Sequence, residues 1–378
     1  MKGRVLLLTT PFRPNVGGVE THLDDLIDEG VKKGLKFFVL TYQPLVTRAR
    51  GKYIERGKGY VIYRFPWIRA NLFLLLEKYP ILEFVYLAPG LFMMSFIFIF
   101  WNRSKIKVIH AQGLVAGAIG VVMGKLFGKK VVVSTHSIYR FPESGLYSKF
   151  CQKLFNGSNH VLTLSKQSKS EVLDLNVNSE KVSVFTYWVN QKIFSPINKL
   201  RARKKLGLSG KKFYCLFVGR LVAVKGIMDL IDAARITKTV EFLIIGDGPM
   251  ADDVRDAQAK LSNLNFIGKI DNRYLPIYYS ASDVVIVPST HEEGFGRVII
   301  ESLSCGTPVV GSRRGAIVEA MDESVGVFID VSGKNISRVL NMFIKNKNKL
   351  KRMAKNARKF AVKNYSSDNI QLITKYYG

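Results

Sequence analysis

Two carboxylates flank a glycine turn in HEEGFGRVIIES, residues 291–302. Glu293 precedes Gly294, Phe295 and Gly296, and Glu301 stands eight positions after Glu293. Paired carboxylates suggest glycoside hydrolysis, but that chemistry sets its carboxyls roughly 5–9.5 Å apart across one bond. Eight residues of helix span about 12 Å, and the glycine loop adds its own bend. Two separate tasks therefore fit the spacing better than one acid–base pair. A carboxylate accepts two hydrogen bonds from a vicinal diol, such as a ribose or the hydroxyls of a sugar ring. The plainer alternative makes Glu301 a helix surface residue and Glu293 a charge well placed at a helix N-terminus.

Other groups suit an anionic ligand. FVGRLVAVKG places Arg220 and Lys225 just past a strand, in a loop that begins at Gly219. Arginine offers a planar fork to phosphate oxygens and lysine a point charge; in a chain with 57 Lys and Arg the bland reading is two solvated side chains. Gly17 and Gly18, in PFRPNVGGVETH, open a predicted helix whose amides a phosphate can approach; an ordinary tight turn explains the pair equally well. The amides of Gly294, Phe295 and Gly296 are expected at the N-terminus of the helix that RVIIESLSCG forms. IIGDGP is a further glycine turn but lacks the G-x-G-x-x-G of a dinucleotide site, which argues against a nicotinamide dehydrogenase. Cys151, Cys215 and Cys305 lie far apart, with neither zinc-site nor disulfide-framework spacing, and fit a reducing compartment.

The elements that must hold these residues are short β-branched runs alternating with helical ones. RVLLLTT, KFFVLTY, YVIYRF, KVIHAQ, KVVVSTH and HVLTLS read as strands in the first half. FYCLFVGR, EFLIIGDG, NFIGKI, DVVIVPS, TPVVGS and GVFID read as strands in the second. Alternation with helices predicts doubly wound parallel sheets, and 378 residues predict two domains. The break is expected near NQKIFSPINKLRARKKLGLSGKK. Ligands of this architecture bind outside the carboxyl ends of the strands, where the residues above lie. MKGRVLLLTTPF reads as a first strand rather than a signal peptide, because no small-residue cleavage site follows.

The formal charge is +28, with 28 basic against 12 acidic residues over 1–200 and 29 against 17 over the rest. Such a field favours nucleic acid, phosphorylated small molecules or an acidic membrane. No nucleic-acid motif and no basic patch interleaved with aromatics accompanies it.

EEGFGRVIIESLSCGTPVVGS resembles the E-x7-E signature of the retaining GT-B glycosyltransferases of family 4, the sucrose-synthase and glycogen-synthase-like group. The resemblance covers nearly the whole chain, with GGVE, HAQG, STHS, FVGRLVAVKG, IIGDGP, FIGKI and YYSASDVVIVPS in the family's order. It implies an α/β GT-B fold, two Rossmann-like domains facing each other across a deep cleft. Residues 1–190, joined by a crossover helix at about 365–378, would form the acceptor domain, and 191–364 the donor domain. It implies that Glu301 holds a ribose, Glu293 the donor sugar, and Arg220 and Lys225 the diphosphate of a UDP- or GDP-hexose. Gly18 would let its loop approach that diphosphate, His136 would lie near the reacting centre, and backbone from Ile267 to Lys269 would edge the base. His110 also matches a family position, and a structural role suits it better. No D-x-D is present, which fits cationic side chains in place of a metal; no cofactor is implied. A GT-B sugar-nucleotide epimerase and, in another class, a basic nucleic-acid-binding protein are the alternatives. The chain departs from the family pattern at TYWVNQ, where Trp188 replaces a usual glycine, and at Arg297, which replaces a residue that is often apolar.

The acceptor side is marked by ILEFVYLAPGLFMMSFIFIFW, residues 81–101, with one charge, Glu83. Pro89 and Gly90 are expected to break it, leaving a remainder too short to cross a bilayer. Residues 101–150 hold eight basic residues against one acidic. Apolar surface beside basic charge suits a protein resting on an anionic bilayer at its cytoplasmic face, with a lipid or lipid-linked acceptor. A buried crossover helix and an oligomer interface are the other readings.

Overall fold

Apolar β-branched runs condense into two sheets in the computed structural model, which describes residues 3–15, 17–45, 49–68, 72–76 and 79–378; Val16 of the first glycine loop lies outside these. Two units result, Met1–Tyr187 with Asp368–Gly378, and Trp188–Ser367.

The first unit holds β1 (Arg4–Leu8), β2 (Phe37–Tyr42), β3 (Ile54–Gly57), β4 (Tyr60–Phe65), β5 (Ile106–Gln112), β6 (Lys130–Thr135), β7 (His160–Thr163) and β8 (Val182–Val184). They lie in the order β3-β4-β2-β1-β5-β6-β7-β8. Every pairing is parallel except the β3–β4 hairpin at the edge. The helices are α1 (Gly18–Lys32), α2 (Leu72–Leu76), α3 (Pro80–Asn102), α4 (Gly113–Phe127), α5 (Leu146–Gly157) and α6 (Lys166–Asp174). Because helices cover both faces, the central strands are apolar on both sides; Leu6, Leu7 and Leu8 are all fully buried.

The second unit holds β9 (Phe213–Val218), β10 (Val240–Ile245), β11 (Leu264–Gly268), β12 (Val284–Val287), β13 (Val309–Ser312) and β14 (Gly326–Ile329), all parallel, in the order β11-β10-β9-β12-β13-β14. Its helices begin with α7 (Lys199–Lys205), α8 (Ile227–Ile236), α9 (Ala251–Lys260), α10 (Leu275–Ala281) and α11 (Arg297–Ser304). In each sheet the winding reverses once, between β1 and β5 and between β9 and β12. Ligands of open α/β sheets bind outside the carboxyl ends of the strands at such a point.

Two expectations are corrected. Pro89 does not break its segment: α3 runs through it for 23 residues. A proline inside a helix removes one hydrogen bond and crowds the carbonyl four residues before it. Here side chains support the next two carbonyls: Trp67 Nε1 donates to Tyr86 O (2.9 Å) and the Tyr42 hydroxyl to Leu87 O (2.6 Å). Gly90 lets those two side chains come close, since a Cβ there would lie 2.6 Å from the Trp67 ring and 2.7 Å from the Tyr42 hydroxyl. The C-terminal segment is not one helix either. It forms a 3-10 turn, Ser367–Ile370, and one short helix, Gln371–Thr374. Its aromatic end then seats in the first unit, with Tyr377 hydrogen-bonded to His110 Nδ1 (2.7 Å) and Tyr376 stacked on His160 at 3.5 Å.

Candidate active site

The switch point of the second sheet carries Lys225 and Glu293. The loop after β9 ends in a 3-10 turn, Ala223–Lys225, and the loop after β12 leads through Pro288 and Ser289 to Glu293. Since β9 and β12 are hydrogen-bonded neighbours, these loops meet. Thr290 N donates to Val224 O (2.8 Å). Gly226, at φ +71°, permits the approach; a Cβ there would lie 2.1 Å from Pro288 O. Gly315, at φ +55°, does the same on the other flank, where a Cβ would fall 2.6 Å from both the amide nitrogen and the carbonyl oxygen of Glu293.

Glu293 Oε1 accepts from the Lys225 ammonium and from the Ser289 hydroxyl, and its residue is 9% exposed. Burial alone would push this carboxyl up; Lys225, with help from Ser289, outweighs burial and holds it below the ordinary carboxylate value. Glu293 is therefore ionised at neutral pH, paired with a cation that can also face a phosphate. Arg220 is exposed on the same loop, as is Lys269 beyond β11, while Ile267 is half-buried.

Glu301 sits one turn into α11. Its Oε1 accepts from Arg297 Nε (3.0 Å) and its Oε2 from the Tyr279 hydroxyl (2.8 Å), and the residue is 3% exposed. Arg297 also donates through Nη1 to Trp188 O (3.3 Å). The two departures from the family pattern thus touch each other, and both bear on the second glutamate. A carboxylate has about four lone-pair positions, and Arg297 and Tyr279 occupy two of those on Glu301. Gly296, at φ +74° and ψ 67°, turns the chain into α11 as its N-cap, behind Gly294 and the buried Phe295.

In the first unit, Gly17 precedes α1 in extended backbone and Gly18 begins the helix with open space where a Cβ would stand. A Cβ at Gly17 would lie 2.4 Å from Glu20 Oε2, whereas the packing at Gly18 does not itself require glycine. His136, after β6, is buried and carries a different load. Its Nε2–H donates to Gln112 Oε1 (2.7 Å), and its Nδ1 accepts from the Tyr187 hydroxyl (2.8 Å). Burial drives its pKa down to about 3, and that of His110 to about 3 as well, so both rings are neutral at physiological pH. His22, from the first turns of α1, stacks on Tyr187 at 4.3 Å.

The structure brings Lys225 to Glu293, and Arg297 to Glu301. Ser289, Tyr279, Gly315, Gln112 and Tyr187 are the partners absent from the sequence-based expectations; Ser289 lies four residues before Glu293, and the other four reach their glutamate or histidine through the fold. IIGDGP has a packing role: Cβ atoms at Gly246 and Gly248 would lie 1.9 Å from Gly219 O and 2.5 Å from Leu221 O.

Comparison with known proteins places the chain. The family described as glycosyl transferases group 1 matches residues 198–360, and glycosyltransferase family 4 matches residues 16–190. An uncharacterized glycosyltransferase of Methanocaldococcus jannaschii is 30% identical over 294 residues, 71% of this chain and 73% of its own. One of the subunits of human phosphatidylinositol N-acetylglucosaminyltransferase is 23% identical across 90% of this chain and 68% of its own length. The crystal structure of Anabaena HepE in complex with UDP shares the fold with a TM-score of 0.78 at 21% identity, over 98% of each chain. Both halves match in order and the double Rossmann-like fold is shared, so the chain belongs to glycosyltransferase family 4 and is a glycosyltransferase of the GT-B fold.

Proposed function

We propose that this enzyme moves a hexose from a nucleoside diphosphate sugar to an acceptor hydroxyl, with retention at the anomeric carbon and without a metal ion. The acceptor in this reading is a lipid or lipid-linked glycan, met at the cytoplasmic face of a membrane. The observation that carries the donor half is the assembly of half-buried Lys225 with buried Glu293 and Ser289 at the switch point of the second sheet. HepE, solved with UDP and with UDP-glucose, supports a nucleotide-sugar donor. The phosphatidylinositol in the human relative's name supports the lipid half.

In the transfer, the bond between the sugar carbon and the diphosphate oxygen breaks and its electron pair leaves with the diphosphate, while the acceptor oxygen bonds to that carbon on the same face and its proton passes to the departing diphosphate oxygen. Lys225 and Arg220 take up that negative charge; preorganised donors of this kind are each worth roughly 2.7–4 kcal/mol. The ionised Glu293 faces the positive charge that develops on the sugar. Glu301 accepts from the ribose hydroxyls, and backbone from Ile267 to Lys269 lies along the base. Gly294 to Gly296 keep the backbone open in front of α11.

A thermal-shift panel of UDP-, GDP-, ADP- and dTDP-sugars, with magnesium and with EDTA, tests the donor reading. A ligand that binds only the folded state raises the melting temperature by mass action. One nucleotide should shift the melt equally in EDTA and in magnesium, and Glu301→Gln, which keeps the side-chain volume, should abolish the shift. A shift that needs magnesium would overturn the metal-free reading. Accumulation of an epimerised sugar nucleotide without acceptor would replace transfer by epimerisation.

A further inference from the structure

The helix α3 is apolar on both of its sides. Leu87, Leu91, Met94 and Ile99 are buried against the first sheet. On the opposite side Val85, Phe92, Phe96, Ile97, Phe100 and Trp101 are 39–77% exposed, at helical spacing. A surface helix ordinarily turns a polar face to water. This stripe continues onto α4 through Val122 and Leu126, 42% and 57% exposed, with Phe96 packed on Phe127 at 5.5 Å. Beside it, a groove of about 220 Å³ between Phe65 and the Met93–Trp101 edge of α3 has an apolar lining.

Cations gather at one end of the stripe. Arg103 lies over the Phe100 ring at 5.9 Å, Lys129 Nζ donates to Arg103 O (2.7 Å), and Lys105 and Lys125 are exposed nearby in the chain. We propose that this face docks in the plane of an anionic lipid bilayer, with the stripe at the level of the acyl chains, the cations at the headgroups, and the groove open to one hydrocarbon chain. Apolar area combined with basic charge is what holds a monotopic protein on such a surface. The helix has the length to span a bilayer, but spanning would tear Leu87, Leu91, Met94 and Ile99 from the sheet and break the Tyr42 and Trp67 hydrogen bonds. A second copy fits less well, because a chain of charge +28 would bring two basic rims together.

The proposal deepens the lipid-acceptor reading and is independent of the donor reading. Val85→Ser/Ile97→Ser/Trp101→Ser changes side chains that are each more than half exposed, which leaves the core intact. Binding of the full chain to vesicles of phosphatidylcholine with phosphatidylglycerol, read by sedimentation, should fall at least ~10-fold for each bulky side chain lost. Lys125→Glu/Lys129→Glu should weaken binding to these vesicles and leave binding to pure phosphatidylcholine unchanged. Brominated acyl chains should quench tryptophan emission in wild type and not in Trp101→Phe. Equal binding by wild type and the triple variant would overturn the proposal. So would a wild-type dimer that ignores vesicles and becomes monomeric in the triple variant. The nucleotide-sugar melting shift should be the same in every variant, so loss of docking and loss of donor binding are read separately.

Discussion

The two glutamates of the signature have different partners, Lys225 and Ser289 for Glu293, Arg297 and Tyr279 for Glu301. Glu293 owes its ionisation to Lys225 and Ser289 against the pull of burial. Its pKa is lower in the folded chain than in the unfolded one. Its stabilisation is therefore present above the unfolded value of 4.5 and is lost as pH falls through the folded value. In Lys225→Ala burial acts unopposed by the ammonium, and that acid limb should shrink or reverse, as urea melts between pH 3 and 6 would show. The same change should lower kcat by about 10²–10³-fold, the usual effect of removing one preorganised donor. Glu301 is paired with Arg297 in a buried setting. Glu301→Ala strands the guanidinium and should cost about 3–5 kcal/mol, whereas replacing both residues by leucine should cost much less. Chemical denaturation of the two variants checks this ordering.

Elements place these side chains through close backbone contacts. The loops after β9 and β12 can touch because Gly226 has no Cβ to strike Pro288 O. Gly226→Ala must adopt φ near +71° and clear that oxygen, so the loop should shift and carry Lys225 with it. A displacement of about 1 Å at reacting groups can cost 10²-fold. The variant should therefore lose kcat out of proportion to its loss of stability, as steady-state kinetics beside a thermal melt would reveal. In the first unit, Gly90→Val would press on Trp67 and Tyr42. Overpacking of this kind costs about 1–3 kcal/mol, measurable as a lower melting temperature.

At the scale of the molecule, the last eleven residues belong to the first unit although the chain reaches them from the second. Truncation after Ser367 removes Tyr377 from His110 and Tyr376 from His160 and Ser183. It should lower the melting transition of the first unit and leave that of the second in place. His110 and His136 are neutral in the fold, with pKa values near 3 against 6.5 unfolded. Depressed values mean that their stabilisation is complete above pH 6.5 and is lost as pH falls toward 3. Each should contribute a slope of about 1.4 kcal/mol per pH unit in that window. In His110→Gln the slope should drop by one histidine's share.

The sequence by itself determined the doubly wound class, because alternating apolar strands and amphipathic helices have few other ways to bury their faces. Twelve strands were legible from β-branched runs. β3, with sequence IERG, and β8, with VSV, were not, since one is polar and the other has three residues. The E-x7-E stretch and the strand-end loops were legible too, because loop chemistry sits at fixed offsets from strands. Only the tertiary structure decided what each charge touches. That Lys225 meets Glu293 depends on β9 lying beside β12, and strand order is not written in local periodicity. That Arg297 and Trp188 meet, and that α3 passes through Pro89 with one face left bare, follow from contacts made across long stretches of chain. Composition shows that residues 81–101 are apolar, but exposure belongs to the folded surface, because it depends on which side the sheet covers.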